Sequence, residues 1–357
     1  MSVVLNGEKC PGKTVEAIIP RLADLLGEVY LVVYGNPALT EDYAPNCDNA
    51  FAIIDTVEIY IGDILVDRQT GEWLHIWAKL AFEHSKYSML LHQMMNPSED
   101  KLYIPLQFWF CRNPGLYIPL IALENYEVKI RIKFSDSTSV FSLQNDQCDQ
   151  ESIYLLCNYV YLDTPERRAL ACADQEYLIE QVQMNEQEYP LQCTNVNFPM
   201  VFSFPVKELV WVIKDNSECC KNPFSYKMMD RGNIKMNGMD RIPVRDAKFF
   251  SMVERYEHHS GGVMLCEWCD GTPLLNQSFN TTSDVYNFTN NYGCIYLYSF
   301  AISPEDHQPS GTCNFSRIKN PELNLEIEQS YCKIRVYATN YNLLTIKDGM
   351  AGVKYSN

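Results

Sequence analysis

Polar and apolar residues alternate along much of this chain. Tyr126, Val128, Ile130, Ile132 and Phe134 alternate with Glu127, Lys129, Arg131 and Lys133. A period of two predicts a strand with one buried and one wet face. Leu323, Leu325 and Ile327 alternate in the same way with Asn324, Glu326 and Glu328, and Ile334 and Val336 with Lys333 and Arg335. Two apolar runs, Leu209 to Ile213 and Tyr154 to Val160, predict strands covered on both faces. Turn residues punctuate the pattern at Gly62-Asp63, Asn113-Pro114-Gly115, Asp270-Gly271 and Asp348-Gly349. Many short strands between frequent turns indicate an all-β sandwich or jelly roll.

Two helices interrupt the strands. Trp73, Ile76, Trp77 and Leu80 share one helical face by their i, i+3, i+4, i+7 spacing. Thr164 followed by Pro165 reads as an N-cap and first turn, which predicts a short polar helix over Glu166 to Ala173. That helix lies between a strand ending near Leu162 and one starting near Tyr177. It marks a boundary between a domain of residues 1–165 and one of 176–357, with 166–175 as the connection. No sequence repeat relates the two halves.

The length of 357 residues suits about two domains of ordinary size. The 46% hydrophobic and 21% charged content is that of a globular protein, and 23 tyrosines and 16 phenylalanines suit pleated, half-buried surfaces. A net charge of −16, with Lys and Arg scattered, argues against direct binding of nucleic acid, whose phosphates need a basic face. No run of eighteen apolar residues exists to span a bilayer. Residues 1–12 lack a basic start followed by an apolar run, so no secretory signal is expected, and the fourteen cysteines are expected to be reduced thiols.

Candidate chemistry is sparse. Cys266 and Cys269 form a CxxC with His258 and His259 upstream, but a zinc site needs four convergent ligands, and adjacent histidines on a strand point to opposite faces. Cys219-Cys220 reads as a pair of loop thiols. The six histidines include no His-x-His of the kind a jelly-roll metal enzyme uses. A nucleophilic pair of Cys313 and His307 has nothing in the sequence to orient it. Gly261-Gly262 is a turn, because no GK[ST] follows. Sequons at Asn276, Asn280, Asn287 and Asn314 read as chance without a secretory signal, while the Asn- and Thr-rich run over 276–291 reads as an exposed loop. Phe108, Trp109 and Phe110 suit a core or interface better than a ligand platform. No catalytic residue, metal or cofactor is expected.

Three long blocks carry a resemblance instead. They are Ile104 to Phe134 (IPLQFWFCRNPGLYIPLIALENYEVKIRIKF), Tyr298 to Ile318 (YSFAISPEDHQPSGTCNFSRI) and Tyr337 to Asn357 (YATNYNLLTIKDGMAGVKYSN). Together with Gly71 to Leu74, Tyr161 to Arg168, Glu176 to Gln183, Pro205 to Ile213 and Asn237 to Arg241, they resemble the major capsid proteins of the nucleocytoplasmic large DNA viruses over nearly the whole chain. The resemblance implies a double jelly roll of two eight-stranded antiparallel sandwiches with short helices in its loops. It implies a structural protein without catalysis, whose three copies form a pseudo-hexagonal capsomer tiling an icosahedral shell over an inner lipid membrane. Its partners would be itself as a homotrimer, neighbouring capsomers and minor capsid proteins, in a virion assembled in the host cytoplasm. Trp109, Arg112, Asn113, Pro114 and Gly115, with His307, Pro309, Gly311, Asn314 and Arg317, are the signature positions that would support capsomer contacts. The family carries a longer N-terminal arm before the segment matching Val15 to Val33, which implies a first sandwich short of one strand, with an open edge. Three rival readings are a minor capsid paralogue, a glycan-binding attachment jelly roll at the virion surface, and a jelly-roll enzyme of cupin or hydrolase type.

Overall fold

The computed structural model describes residues 1–34, 47–95, 101–136, 153–190, 194–215, 224, 226–261, 294–327 and 332–355. The turn at Asp270-Gly271 lies outside them. The chain forms two compact units, one of Met1–His75, Ser88–Val182 and Asn340–Asn357, the other of Ile76–Tyr87 and Gln183–Thr339.

The first unit contains β1 (Ser2–Val4), β2 (Thr14–Ile19), β3 (Leu25–Tyr34), β4 (Ile54–Ile61), β5 (Ile64–Thr70), β6 (Lys101–Pro105), β7 (Ile118–Pro119), β8 (Val128–Phe134) and β9 (Ile153–Val160). One sheet has the order β1-β9-β3-β6, with β7 added to β3, and the other the order β2-β8-β4-β5. The alternation read from the sequence sets the register of the second sheet. Val15, Ala17 and Ile19 pair with Ile132, Ile130 and Val128, and all six are buried. One residue out of step, Glu16, Arg131, Glu58 and Arg68 form a row across the four strands with alternating charge. A slip of one residue would bury that row, so the pattern fixes the pairing.

The edge expected to stand open is filled. Ser2, Val3 and Val4 pair with Leu156, Leu155 and Tyr154, Val3 is buried, and the amino group of Met1 donates to Cys157 O at 2.7 Å. The first sandwich therefore has eight main strands. A strand of three residues with one buried valine is too short to show a period.

The remaining strands are β10 (Gln175–Tyr189), β11 (Asn195–Pro199), β12 (Pro205–Asp215), β13 (Met229–Met236), β14 (Met239–Asp246), β15 (Ile295–Ser299), β16 (Cys313–Asn314), β17 (Glu322–Ile327), β18 (Cys332–Lys347) and β19 (Met350–Val353). The division between the units passes within β10 and β18, so the C-terminal part of β18 and all of β19 belong to the first unit. The sheets have the orders β10-β18-β12-β15, with β16 beside β12 and β19 beside β18, and β11-β17-β13-β14. Counting the eight main strands of each group in chain order, both give 1-8-3-6 and 2-7-4-5, the order of a jelly roll. Leu209, Trp211 and Ile213 on one sheet and Val196, Phe198 and Leu325 on the other share one core cluster. Each such side chain contributes about 1.5–3 kcal/mol on burial.

Five α-helical segments occur among the described residues: α1 (Gly71–Ala81), α2 (His84–Met89), α3 (Trp109–Arg112), α4 (Thr164–Cys172) and α5 (Glu254–His258). Thr70 Oγ1 accepts from Trp73 N at 3.0 Å and opens α1. The helix buries more than its expected face, since Leu74, His75 and Ala78 are covered as well. α4 has no buried residue, matching the polar helix expected there, but its N-cap is Asp163 rather than Thr164.

Candidate functional site

The signature residues fall on two turns. The first follows β6 in the first unit, where Leu106 N donates to Val29 O at 3.0 Å. The rings of Phe108 and Phe110 then stack at 5.9 Å, and Trp109 meets Phe110 edge-on at 5.2 Å. All three are buried, so the aromatic run is core. Trp109 is 2% exposed, which makes it an internal support of the turn rather than a group offered to a neighbour. Arg112 donates through Nε to Gln107 O at 3.0 Å and pairs with Glu180 at 2.9 Å. Both side chains are largely covered, so removing one partner would strand a charge. Asn113 Oδ1 accepts from Gly115 N at 2.8 Å and caps a 3-10 turn over Pro114–Leu116. Pro114 and Gly115 are exposed. Behind them Tyr117 donates to Glu28 Oε1 at 2.6 Å and Asn158 to Oε2 at 2.7 Å. Burial pushes the Glu28 carboxyl up, but the Asn158 and Tyr117 donors outweigh it and hold the group below its usual range.

The second turn follows β15 in the second unit. Phe300 N and Ala301 N both donate to Lys207 O, at 2.8 and 3.1 Å. Ser310 Oγ closes the loop by accepting from Ser303 N at 2.9 Å and donating to Ser303 O at 3.2 Å. Between them lie His307, half-buried, and Pro309, exposed. Gly311 has φ +150°, and a Cβ there would stand 2.5 Å from Phe300 O. Asn314 Oδ1 accepts from Ser316 N at 3.1 Å and caps the turn Phe315–Arg317, whose Arg317 is exposed. Phe315 is buried against Phe202 and Phe300, with ring centres 6.0 and 5.9 Å away.

A charged cluster lies beneath this loop. Lys207 and Glu208, adjacent on β12, are both 0% exposed. Lys207 Nζ donates to Pro304 O. His259 Nε2 lies 3.0 Å from Glu208 Oε2, and its Nδ1 lies 2.9 Å from Glu305 Oε1. With a carboxylate oxygen at each nitrogen, the ring is held as the imidazolium, which donates twice. Burial alone pushes this imidazole down, yet Glu208 and then Glu305 raise it to about 9. Burial likewise pushes Glu208 up, and the charge and hydrogen bond of His259, then Lys207 and Thr339, bring it below its usual range. Thr339 Oγ1 donates to the remaining Glu208 oxygen at 3.2 Å, and Ser260 N to Glu305 Oε1 at 2.9 Å.

The end of α1 places His259. The last carbonyls of a helix have no partner within it. Here Arg255 donates to Lys79 O, Gly261 N to Leu80 O at 2.7 Å, and Ser260 Oγ to Ala81 O at 3.0 Å. A Cβ at Gly261 would lie 2.2 Å from Leu80 O, so the approach requires glycine. His258 and His259 are therefore not on a strand, as the sequence suggested. They end α5, with His258 Nδ1 2.9 Å from Ile302 O and His259 turned inward against Trp77.

Of this cluster the sequence reading reached only His259, and for another reason. The missed signal is Lys207-Glu208, two charges at the head of an apolar run on a strand covered on both faces. Such charges persist in a core only when paired.

Other candidates come to little. Cys313 Sγ lies 4.0 Å from Met236 Sδ with no hydrogen bond to His307, and burial raises its thiol. Among the described residues no group of three or more His, Cys, Asp or Glu side chains could hold a metal ion. A cleft of about 380 Å³ on β11, β13, β14 and β17, lined by Asn195, Asn197, Arg231, Asn233, Lys235 and Glu326 among others, has no hydroxyl, thiol or imidazole. Cys219, Cys220, Gly262, Cys266, Cys269 and the sequons at Asn276, Asn280 and Asn287 lie outside the described residues.

Comparison with known proteins agrees with this picture of a scaffold. Residues 2–163 match the family described as major capsid protein N-terminus, and residues 166–262 and 279–352 match that described as large eukaryotic DNA virus major capsid protein. The chain is 37% identical to the major capsid protein of Pyramimonas orientalis virus, covering 99% of this chain and 88% of that one. It is 27% identical to the major capsid protein of Paramecium bursaria Chlorella virus 1, covering 99% and 90%. Its fold superposes on the quasi-atomic model of the PBCV-1 virus capsid with a TM-score of 0.78 at 25% identity, covering 100% of this chain and 96% of that one. With the double jelly-roll order in its strands and these matches from end to end, the chain belongs to the major capsid proteins of the large eukaryotic DNA viruses, the structural proteins of the virion shell.

Proposed function

We propose that three copies of this chain close into one capsomer, and that the turns at Asn113–Gly115 and His307–Arg317 support its contacts. The observation that carries this is the identical strand order of the two sandwiches. Three chains with two like sandwiches each supply six similar modules, so a closed threefold ring approximates sixfold symmetry and packs on a hexagonal net. Closure lets one heterologous surface pair all round the ring without leaving a free copy of it. In this reading residues 1–165 and 176–357 are the two modules and 166–175 connects them. Minor capsid proteins and an inner membrane are the neighbours of the assembled shell, which forms in the host cytoplasm.

Light scattering on the purified protein tests the capsomer. The expected particle has three times the chain mass of 41.2 kDa. A particle of single-chain mass at every concentration would overturn the trimer.

A further inference from the structure

We propose that His259, clasped as an imidazolium between Glu208 and Glu305, positions the loop from Ile302 to Gly311, and that removing its proton releases that loop. The inference rests on the reading of this loop as a capsomer contact only for its consequence. The clasp itself stands on geometry within one unit.

Among the described residues the loop has few other ties to the body of the unit. Ser303 and Ser310 bond to each other, which closes the loop on itself without anchoring it. Its anchors are Lys207, through Pro304 O, and Glu305, which accepts from His259 Nδ1 and Ser260 N. His258 holds Ile302 O from the same short segment. The segment carrying both histidines is fastened to the end of α1 by Arg255, Ser260 and Gly261. The imidazolium thus joins two elements, β12 and the loop, that are otherwise linked here by main-chain bonds at Phe300 and Ala301 and by the lysine.

β12 supplies Glu208 and Lys207, the loop supplies Glu305, and β18 supplies Thr339 as a neutral donor. α1 supplies Trp77, met edge-on by the His259 ring at 6.5 Å and by Lys207 Nζ at 5.9 Å from its centre. The ring's own segment supplies Arg255, directed at Lys79 O, and the pair His258–Glu254 at 3.8 Å. Two carboxylates therefore face one imidazolium and one ammonium. Loss of the His259 proton leaves one carboxylate oxygen against a nitrogen lone pair of a ring that is itself fully covered, and one of the two contacts must open.

The sign follows from the shifts. The imidazole is raised to about 9, so its contribution is complete below its ordinary value and is lost as pH rises through about 9. The Glu208 carboxyl is lowered, so its contribution is present at neutral pH and is lost only in acid, as pH falls through that depressed value. The loop is therefore clasped at neutral pH and opens in alkali.

Hydrogen exchange of the peptide spanning residues 300–311, corrected for intrinsic rates, tests this at pH about 7 and about 10. The expected opening is at least about tenfold greater at the higher pH in the wild-type protein. His259→Gln should show the open level already at neutral pH and lose the pH dependence. Glu305→Gln, which keeps an acceptor for Ser260 N, should shift the midpoint downward. An imidazole proton resonance followed through the same range needs no substitution, and a midpoint near 9 is expected for one of the six histidines. Exchange that ignores pH, or six histidines titrating near 6.5, would overturn the clasp. Light scattering on the same samples separates the two readings. A trimer with a pH-indifferent loop removes the clasp alone, and a pH-sensitive loop in a single-chain particle removes the capsomer contact alone.

Discussion

Two glycines on the signature turns differ in what they tolerate. A Cβ at Gly311 would lie 2.5 Å from Phe300 O in a backbone of φ +150°, whereas at Gly115 the nearest atom is Asn113 Oδ1 at 3.3 Å. A side chain forced into the first conformation costs about 1–3 kcal/mol before the clash is counted. Gly311→Ala is therefore expected to lower the melting temperature and the trimer fraction by light scattering, and Gly115→Ala to change both little. Equal effects would show that the contact surface, not the backbone, sets the need for glycine. The sequence offered both as turn residues of one kind. Only the neighbouring carbonyl of Phe300 separates them.

Elements are joined in the first unit by a buried carboxylate that titrates near neutrality. Asp67 on β5 accepts from Val182 N on β10 at 3.0 Å and from Gln69 Nε2 at 2.9 Å. Burial raises it to about 6, more than its bonds to Val182 and Gln69 and the charge of Arg112 lower it. Its folded value lies above the unfolded 3.8, so the native state binds the extra proton between these values. At neutral pH the charged form costs about 3 kcal/mol, and the cost fades as pH falls through 6. Asp67→Asn, which keeps an acceptor for Val182 N, is expected to gain on the wild type at pH about 7, to keep about half of that gain at pH about 5 and to lose the rest below pH about 4, read as the difference in melting temperature. A constant difference would mean that folding does not shift Asp67. The row of Glu16, Arg131, Glu58 and Arg68, in which only Glu58 is buried, works on another scale. Its pairs at 2.9 and 2.6 Å are half-open to solvent, and such pairs are worth about 0–1 kcal/mol each. The row fixes register more than it stabilises. Its alternation was legible in the sequence for β8, but its four-strand extent was not, because pairing across strands is absent from a linear pattern.

At the scale of the whole molecule, charge opposes assembly. Each chain carries a net −16, and bringing three together sets like charges within one particle. The reach of these charges falls from about 30 Å at 0.01 M salt to about 8 Å at physiological strength. The trimer fraction by sedimentation is therefore expected to rise with salt over that range. A fall would place attractive ion pairs, not apolar burial, at the contact.

The sequence by itself determined the class of fold and the family. Period-two alternation on β8 and β17, the apolar run on β12 and the turn residues between them are local properties of the chain, and they survive without knowledge of any partner strand. The blocks around the two signature turns carried the family for the same reason, since they are continuous in sequence. Tertiary structure decided what depends on distant residues meeting. It filled the open edge with Ser2–Val4, whose three residues gain a strand's geometry only by pairing with β9. It placed Trp109 inside, and it took His259 from an imagined strand to a helix end between Glu208 and Glu305, residues 51 and 46 positions away. Charges so far apart in sequence acquire their meaning only from the desolvated space they share, and no pattern along the chain records it.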